Sequence, residues 1–322
     1  MSHILFLNEK HCDSLANLGF SNSHHNLFAS FSRSRPEVYD TLHLDEAETV
    51  YKTHLNNILP EYCKKWDIKI IQICLMNGAT GNPSWDTFRK LKEMGVYLCF
   101  HWPDTGNTWG CETIQSLGNI ADLNISWDNP RSRFHDTFPK KDNHLFLWVP
   151  QDELLYFKEE QTIPVSFIGS PRYYDRGIFI NFLKKYYPSV VLRGGQREEK
   201  LSPSEYARLI RTSKISLNFS LSPAMYFQTK GRIFEVMASG SMLMEFRNPS
   251  TESLFEPGVD YVDFESPEEL LEKIQYYTTH EDERLKIANH GHETFKKKYS
   301  AKRFWDTIMD RAYSDIAARK DL

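Results

Sequence analysis

Apolar positions along this chain fall into short runs that switch between two periods. Residues 3–7, Asp67 to Leu75, Val96 to His101, Ala121 to Trp127 and His144 to Val149 are rich in β-branched and aromatic residues and of strand length, and Glu37 to Leu44 reads as one more strand. Between them the pattern predicts a polar loop from Gly19 to His25, a helix to about Arg33, and a helical stretch over 46–66 that Pro60 should kink or end. A further helix should stop at Gly95, and another lies around 110–118. Strand and helix alternating at this spacing imply right-handed βαβ units and a parallel sheet covered on both faces.

The chain turns polar around 150–162, which places a domain crossover there. Beyond it come a strand from Ile163 to Gly169, a loop from Ser170 to Gly177, a helix to Tyr187, and a strand from Val190 to Arg193 ending in Gly194-Gly195. Ser202-Pro203-Ser204-Glu205 opens a helix with proline at its first position and a capping-box spacing, and Ser266-Pro267-Glu268-Glu269 repeats that start. Lys214 to Ser220 alternates as a buried strand, followed by a polar loop, a short helix stopped at Gly240, and the strand Met242 to Phe246. From Glu281 the pattern is helical to the end.

The segment Phe227 to Phe246 concentrates the candidate chemistry. At about 100° per residue, Arg232, Glu235 and Ser239 share one helix face and Ile233, Val236 and Met237 the opposite one. In an open parallel sheet ligands sit beyond the carboxyl ends of the strands, where a helix N-terminus offers free N–H groups and partial positive charge. Ser220, Ser222, Gln228, Thr229, Lys230 and Arg232 occupy that place here. Two cations with several donors suit a diphosphate, and the Glu235 carboxylate beyond them suits a pair of vicinal hydroxyls. A nucleotide-sugar combines both. Arg172 or Arg176 would supply the second side of a cationic clamp, Gly194 would let the ligand approach the backbone, and Tyr173 or Tyr174 could stack on a base. In the first half, His101, Asp104 and Asp128 follow strand ends, and His101 or Asp104 has the chemistry of a general base toward an acceptor hydroxyl. Trp102, Trp109 and Trp127 lie near the same ends, and His24 or His25 is a further candidate.

The run Lys230 to Gly240, the strand after it, Phe255-Glu256-Pro257-Gly258-Val259-Asp260-Tyr261-Val262 and Ser266 to Leu270 resemble the C-terminal half of group 1 glycosyltransferases of GT-B fold, nearest the branch that includes the spore-maturation proteins. The likeness covers about 163 to 310 well and the first half loosely. It implies an α/β chain of two facing Rossmann-like domains with the active site in the cleft between them. The implied limits are 1–155 for the acceptor side, 156–300 for the donor side, and a last helix, 301–322, crossing back to the first domain. It also implies a retaining transfer from a nucleoside-diphosphate sugar to a glycan, lipid-linked or protein hydroxyl, with Glu235 on the donor ribose. Many members carry a second Glu eight positions before that one; here the position is Phe227. Two alternatives stay open: an epimerase or hydrolase of nucleotide-sugars on the same fold, which would need cleft acids activating water, and a non-catalytic binding module, for which Phe227 is the hint.

A length of 322 residues suits two domains, and 40 % apolar with 25 % charged residues is ordinary for a globular chain. A net charge of −4 argues against a general nucleic-acid binder. Five scattered cysteines without CxxC spacing fit free thiols, and no leader or membrane-length apolar run stands out, so a cytoplasmic location is expected. No Asp-x-Asp closes an apolar strand, which favours chemistry without metal or other cofactor, with protein cations stabilising the leaving group. Lys296-Lys297-Lys298 with Lys302-Arg303 is a basic cluster that could touch a membrane surface.

Overall fold

The computed structural model of the protein describes residues 3–47, 49–76, 81–103, 112–114, 116, 120–128, 142–171, 174–194, 201–221 and 227–320. It divides into two compact units: one holds the described residues up to 128, those of 142–150 and those from 301, and the other those of 151–300.

The first unit is built on six parallel strands, β1 (His3–Asn8), β2 (Tyr39–His43), β3 (Ile68–Ile73), β4 (Tyr97–Trp102), β5 (Leu123–Ser126) and β6 (His144–Phe146), in the order β2-β1-β3-β4-β5-β6. Leu5, Leu7, Ile71, Ile73, Leu98 and Phe100 on one face and Ile4, Phe6, Ile70, Tyr97 and Cys99 on the other are all buried, as a sheet covered on both faces requires. A π-helical segment, His24–Ala29, runs into the short helix α1 (Ser30–Ser34). The helical stretch expected from residue 46 begins only at α2 (Leu55–Lys65), where the His54 side chain accepts from Asn56 N–H. Pro60 does not end it: its buried ring sits inside α2, and the helix continues to Lys65. Helix α3 (Trp85–Glu93) is capped by Ser84 and is followed by Gly95 at φ 85°, matching the expected stop. The last helix of this unit, numbered below in chain order, buries Trp305 against Phe6 and Phe31, and its indole N–H donates to Ser30 Oγ at 2.8 Å.

The second unit has five parallel strands, β7 (Ile163–Ile168), β8 (Val191–Arg193), β9 (Ser213–Asn218), β10 (Met242–Phe246) and β11 (Val262–Phe264), in the order β11-β10-β9-β7-β8. Among the described residues its longer helices are α4 (Tyr174–Tyr186), α5 (Pro203–Arg211), α6 (Gly231–Ala238), α7 (Pro267–Thr279) and α8 (Glu281–Lys298), with one further helical turn at Pro249–Glu252. The capping box at Ser202 is complete, with Glu205 reaching back to the Ser202 backbone. Ser266 caps α7 but its partner Glu269 turns instead to the Glu265 N–H, 2.8 Å away. α4 starts three residues before the Gly177 that reads as the end of a loop, because one glycine near a helix start costs only about 1 kcal/mol. The helical stretch from Glu281 is two helices: α8 ends at Lys298 and α9 (Ala301–Lys320) follows, belonging to the first unit.

In both sheets the strand order reverses where the first strand of the unit meets the third: between β1 and β3, and between β7 and β9. Such a reversal opens a crevice at the carboxyl ends of the strands, since the connections on either side leave toward opposite faces. Among the described residues no helix is long and apolar enough to cross a membrane.

Candidate active site

The crevice between β7 and β9 holds the Arg232 side chain. Its Nε donates to Tyr206 Oη at 3.1 Å, a terminal nitrogen donates to Asn218 Oδ1 at 3.1 Å, and the guanidinium carbon lies 5.3 Å from the Phe167 ring centroid. Gly169, just past β7, makes room: a Cβ there would come within 2.7 Å of an Arg232 nitrogen. Lys230 is the N-cap of α6 with extended backbone, no side chain caps this helix start, and the Lys230 ammonium donates to Gln228 Oε1. The helix therefore presents its first-turn N–H groups and partial positive charge toward the strand ends.

Behind Arg232 lie two carboxylates. Glu235 is buried within α6 and accepts from Tyr206 Oη at 2.6 Å, so one hydroxyl bridges the carboxylate and the guanidinium. Glu245, on β10, has no exposed surface and accepts from Ser220 Oγ, from Asn218 Nδ2 at 3.2 Å and from Asn248 Nδ2 at 3.3 Å. The Asn218 amide is thereby oriented: its nitrogen faces Glu245 and its oxygen faces Arg232. Asn248 also donates to the Gln228 carbonyl at 3.1 Å, fastening the loop before α6. Burial pushes both carboxyls above the ordinary carboxylate range; hydrogen bonds from Tyr206 and the Arg232 charge oppose this at Glu235, and hydrogen bonds from Ser220, Asn218 and Asn248 oppose it at Glu245. Burial works against the Arg232 charge, but the Tyr206 hydroxyl and the Glu235 carboxylate outweigh it and hold the guanidinium protonated.

Arg176 also stacks on Phe167, 5.5 Å from its centroid, and donates to the carbonyls of Ser170 and Phe219, each at 2.8 Å. It ties the ends of β7 and β9 together. Ser220 is fully buried and turned to Glu245, while Thr229 is buried in the loop before α6. Gly194, at φ 80°, closes β8 beside Gly169. Ser239 shares the helix face of Arg232 and Glu235 in sequence, but it is the C-cap of α6 and fully buried with no partner for its hydroxyl, so the expected ligand face stops at Glu235. Arg172, Tyr173 and Ser222 lie outside the described residues, as does the side chain of Tyr174.

His101 differs from its expectation as a cleft-facing strand-end residue. β4 runs one residue further, to Trp102, so His101 is part of the sheet and is 1 % exposed. Its Nε2–H donates to Gln72 Oε1 at 2.7 Å, its Nδ1 accepts from Trp127 Nε1 at 3.3 Å, and Phe304 and Trp305 of α9 pack on the ring. Burial lowers its pKa to about 3, leaving a neutral imidazole with both nitrogens occupied. Trp102 donates to Asn124 at 3.0 Å and is core, and Asp128 is buried beyond β5. His24 stacks on Phe20 with centroids 4.3 Å apart. Asp104 and Trp109 lie outside the described residues. Among those residues, no three His, Cys, Asp or Glu side chains converge as metal ligands would.

Glu245, Asn218, Tyr206 and Gly169 were not singled out by sequence. Glu245 carries the same signal as Glu235, a carboxylate inside an apolar element, Met242-Leu243-Met244-Glu245-Phe246. Tyr206 and Gly169 reach the site only through tertiary packing.

Residues 153–310, just under half of the chain, match the family described as glycosyl transferase-like, so this stretch is a glycosyltransferase-type domain. Each of the two units is a Rossmann-like α/β unit on a parallel sheet, a fold like that of GT-B glycosyltransferases. HepE of Anabaena, solved with UDP-glucose, superposes over 99% of this chain and 100% of its own with a TM-score of 0.61 at 13% identity. Sucrose-phosphate synthase from Thermosynechococcus elongatus does so over 98% and 100%, with a TM-score of 0.58 at 11% identity. A glycosyltransferase from Rickettsia africae covers 98% of each chain, with a TM-score of 0.57 at 9% identity. No curated protein matches the sequence significantly.

Proposed function

We propose that the protein transfers a sugar from a nucleoside-diphosphate sugar to an acceptor hydroxyl, with retention and without a metal ion. The observation that carries this is the Arg232 guanidinium, held charged at the β7/β9 crevice beside an uncapped helix start. As the glycosidic C–O bond to the diphosphate breaks, negative charge grows on the phosphate oxygens, and Arg232, Lys230 and the α6 N–H groups neutralise it. Glu235, one turn further along α6, holds the ribose hydroxyls in this reading, with Thr229 at the loop before the helix. Arg176 and Ser220 keep the strand ends and the loop in place. The departing phosphate oxygen takes the proton of the acceptor hydroxyl as the new C–O bond forms on the same face. The burial of His101 favours this route, since it takes that base candidate away from solvent.

The Anabaena neighbour was solved with UDP-glucose, which makes a uridine-diphosphate hexose the first donor to assay. The resemblance of the run Lys230 to Gly240 supports, in this reading, kinship with the spore-maturation-protein branch. Phe227 stacks on Phe246 with centroids 6.5 Å apart, so the position where relatives carry a second Glu is apolar; this favours, as a second reading, a binding module that no longer turns donor over. Donor consumption with EDTA present, with and without added glycans and lipid-linked sugars, decides between them. Acceptor-dependent release of nucleoside diphosphate that Arg232→Lys reduces at least tenfold is expected. Tight donor binding with no turnover for any acceptor would establish the second reading, and acceptor-independent turnover would make the protein a hydrolase.

A further inference from the structure

A second polar hollow lies at the other edge of the second sheet, where the strands begin. It measures about 310 Å³ and is framed by Lys158, Gln161, Lys214, Gly240, Arg284 and Asn289. Gln161 precedes β7, Lys214 is the second residue of β9, and Gly240 precedes β10, so nothing here belongs to the crevice at the carboxyl ends. The floor is fixed. Arg284 is 2 % exposed and donates to Gln161 Oε1 at 3.2 Å and to Glu281 Oε1 at 2.8 Å. Gln161 in turn donates to the Gly240 carbonyl at 3.0 Å. The Lys158 stem lies across Gly240, where a Cβ would come within 2.8 Å of it, and φ there is 69°.

The charges in this hollow do not cancel. Glu281, the carboxylate partner of both Arg284 and Lys214, has a side chain 57 % exposed, so water screens much of its compensation. Glu159 on the rim is taken by Arg211 at 2.7 Å. Among the described residues the hydrogen-bond partner of Lys158 Nζ is neutral, Asn289 Oδ1 at 3.0 Å. A nearly buried guanidinium and two ammonium groups thus face a space the size of a small metabolite. We propose that this hollow is a second binding site, for a small phosphate-bearing molecule held by Lys158, Lys214 and Arg284. Phosphate oxygens would complete the Lys158 donors and share Arg284 with Glu281. The site stands apart from the donor reading, although β9 connects Lys214 to Asn218, and Gly240 ends the segment that begins with α6.

Calorimetric titration with inorganic phosphate against chloride at matched ionic strength tests it. The starting protein is the Arg232→Gln variant, which suppresses phosphate binding at the α6 N-terminus. Expected is phosphate binding by Arg232→Gln that weakens about tenfold or more when Lys158→Gln is added, and likewise with Lys214→Gln. Both lysines are at the surface, and unfolding midpoints in chloride equal to the parent's confirm that the fold is intact. Two results overturn the proposal: Arg232→Gln binds phosphate no better than chloride, or its phosphate affinity is unchanged by both lysine substitutions.

Discussion

Glu245 offers a test of the buried network that needs no substrate. Its carboxyl is fully buried, its hydrogen-bond donors among the described residues are neutral, and burial raises its pKa in the folded protein. The sign follows from proton counting. Between the ordinary carboxyl value of about 4.3 and the raised folded value, the native state holds a proton that the unfolded chain has released, so stability falls as pH rises through that window. Each tenfold difference in proton affinity is worth about 1.4 kcal/mol. Glu245→Gln keeps the shape and removes the titration. The variant should therefore gain stability relative to wild type as pH rises from 4 to 8, by about 1.4 kcal/mol for each tenfold by which folding raises the carboxyl's proton affinity. Glu245→Ala should instead cost about 2–4 kcal/mol at pH 5, since it strands the Ser220 hydroxyl, loosens Asn218 and Asn248 and leaves a void. Thermal unfolding of the three proteins across this pH range reads both effects. Parallel pH profiles for wild type and Glu245→Gln would refute a raised carboxyl, and an unchanged midpoint for Glu245→Ala would refute the network.

Three other outcomes follow from the geometry. Gly169→Ala should displace the Arg232 guanidinium, lowering nucleoside-diphosphate affinity about tenfold or more with little loss of stability, measured by calorimetry on the folded variant. His101→Leu should keep the pH–rate profile of the wild type, because an imidazole with a pKa near 3 and both nitrogens occupied is no base toward an acceptor; a lost alkaline plateau would contradict this. The same residue has the opposite linkage to Glu245: below about 6.5 the unfolded chain takes up a proton that folded His101 refuses, so its contribution to stability is lost as pH falls toward 3, and His101→Leu should flatten that decline in acid unfolding curves.

Much of the second unit could be read from local pattern. Alternation over Lys214 to Ser220, the proline and capping box at Ser202, and the glycine stop at Gly240 each act within one element, so they placed β9, α5 and α6 within a few residues. Glu235 was legible because an acid among Phe234, Val236 and Met237 needs a partner. The identity of that partner was not: Tyr206 comes from α5, 29 residues away in sequence, and only tertiary packing brings it there. His101 misled for a similar reason. Its position near a strand end is local, but whether that end is open depends on α9, which covers it with Phe304 and Trp305. The break between α8 and α9 at Tyr299-Ser300 carries neither proline nor glycine, so periodicity alone runs through it.

The central claim is that Glu235 and Arg232 mark a nucleotide site that works without metal. Thermal shift of wild type and Glu235→Ala with uridine, guanosine, cytidine, thymidine and adenosine diphosphates in EDTA tests it most directly. One nucleotide, uridine diphosphate first among them, should raise the wild-type midpoint, and Glu235→Ala should lose most of the rise. No shift with any nucleotide, or an equal shift in the variant, would contradict it.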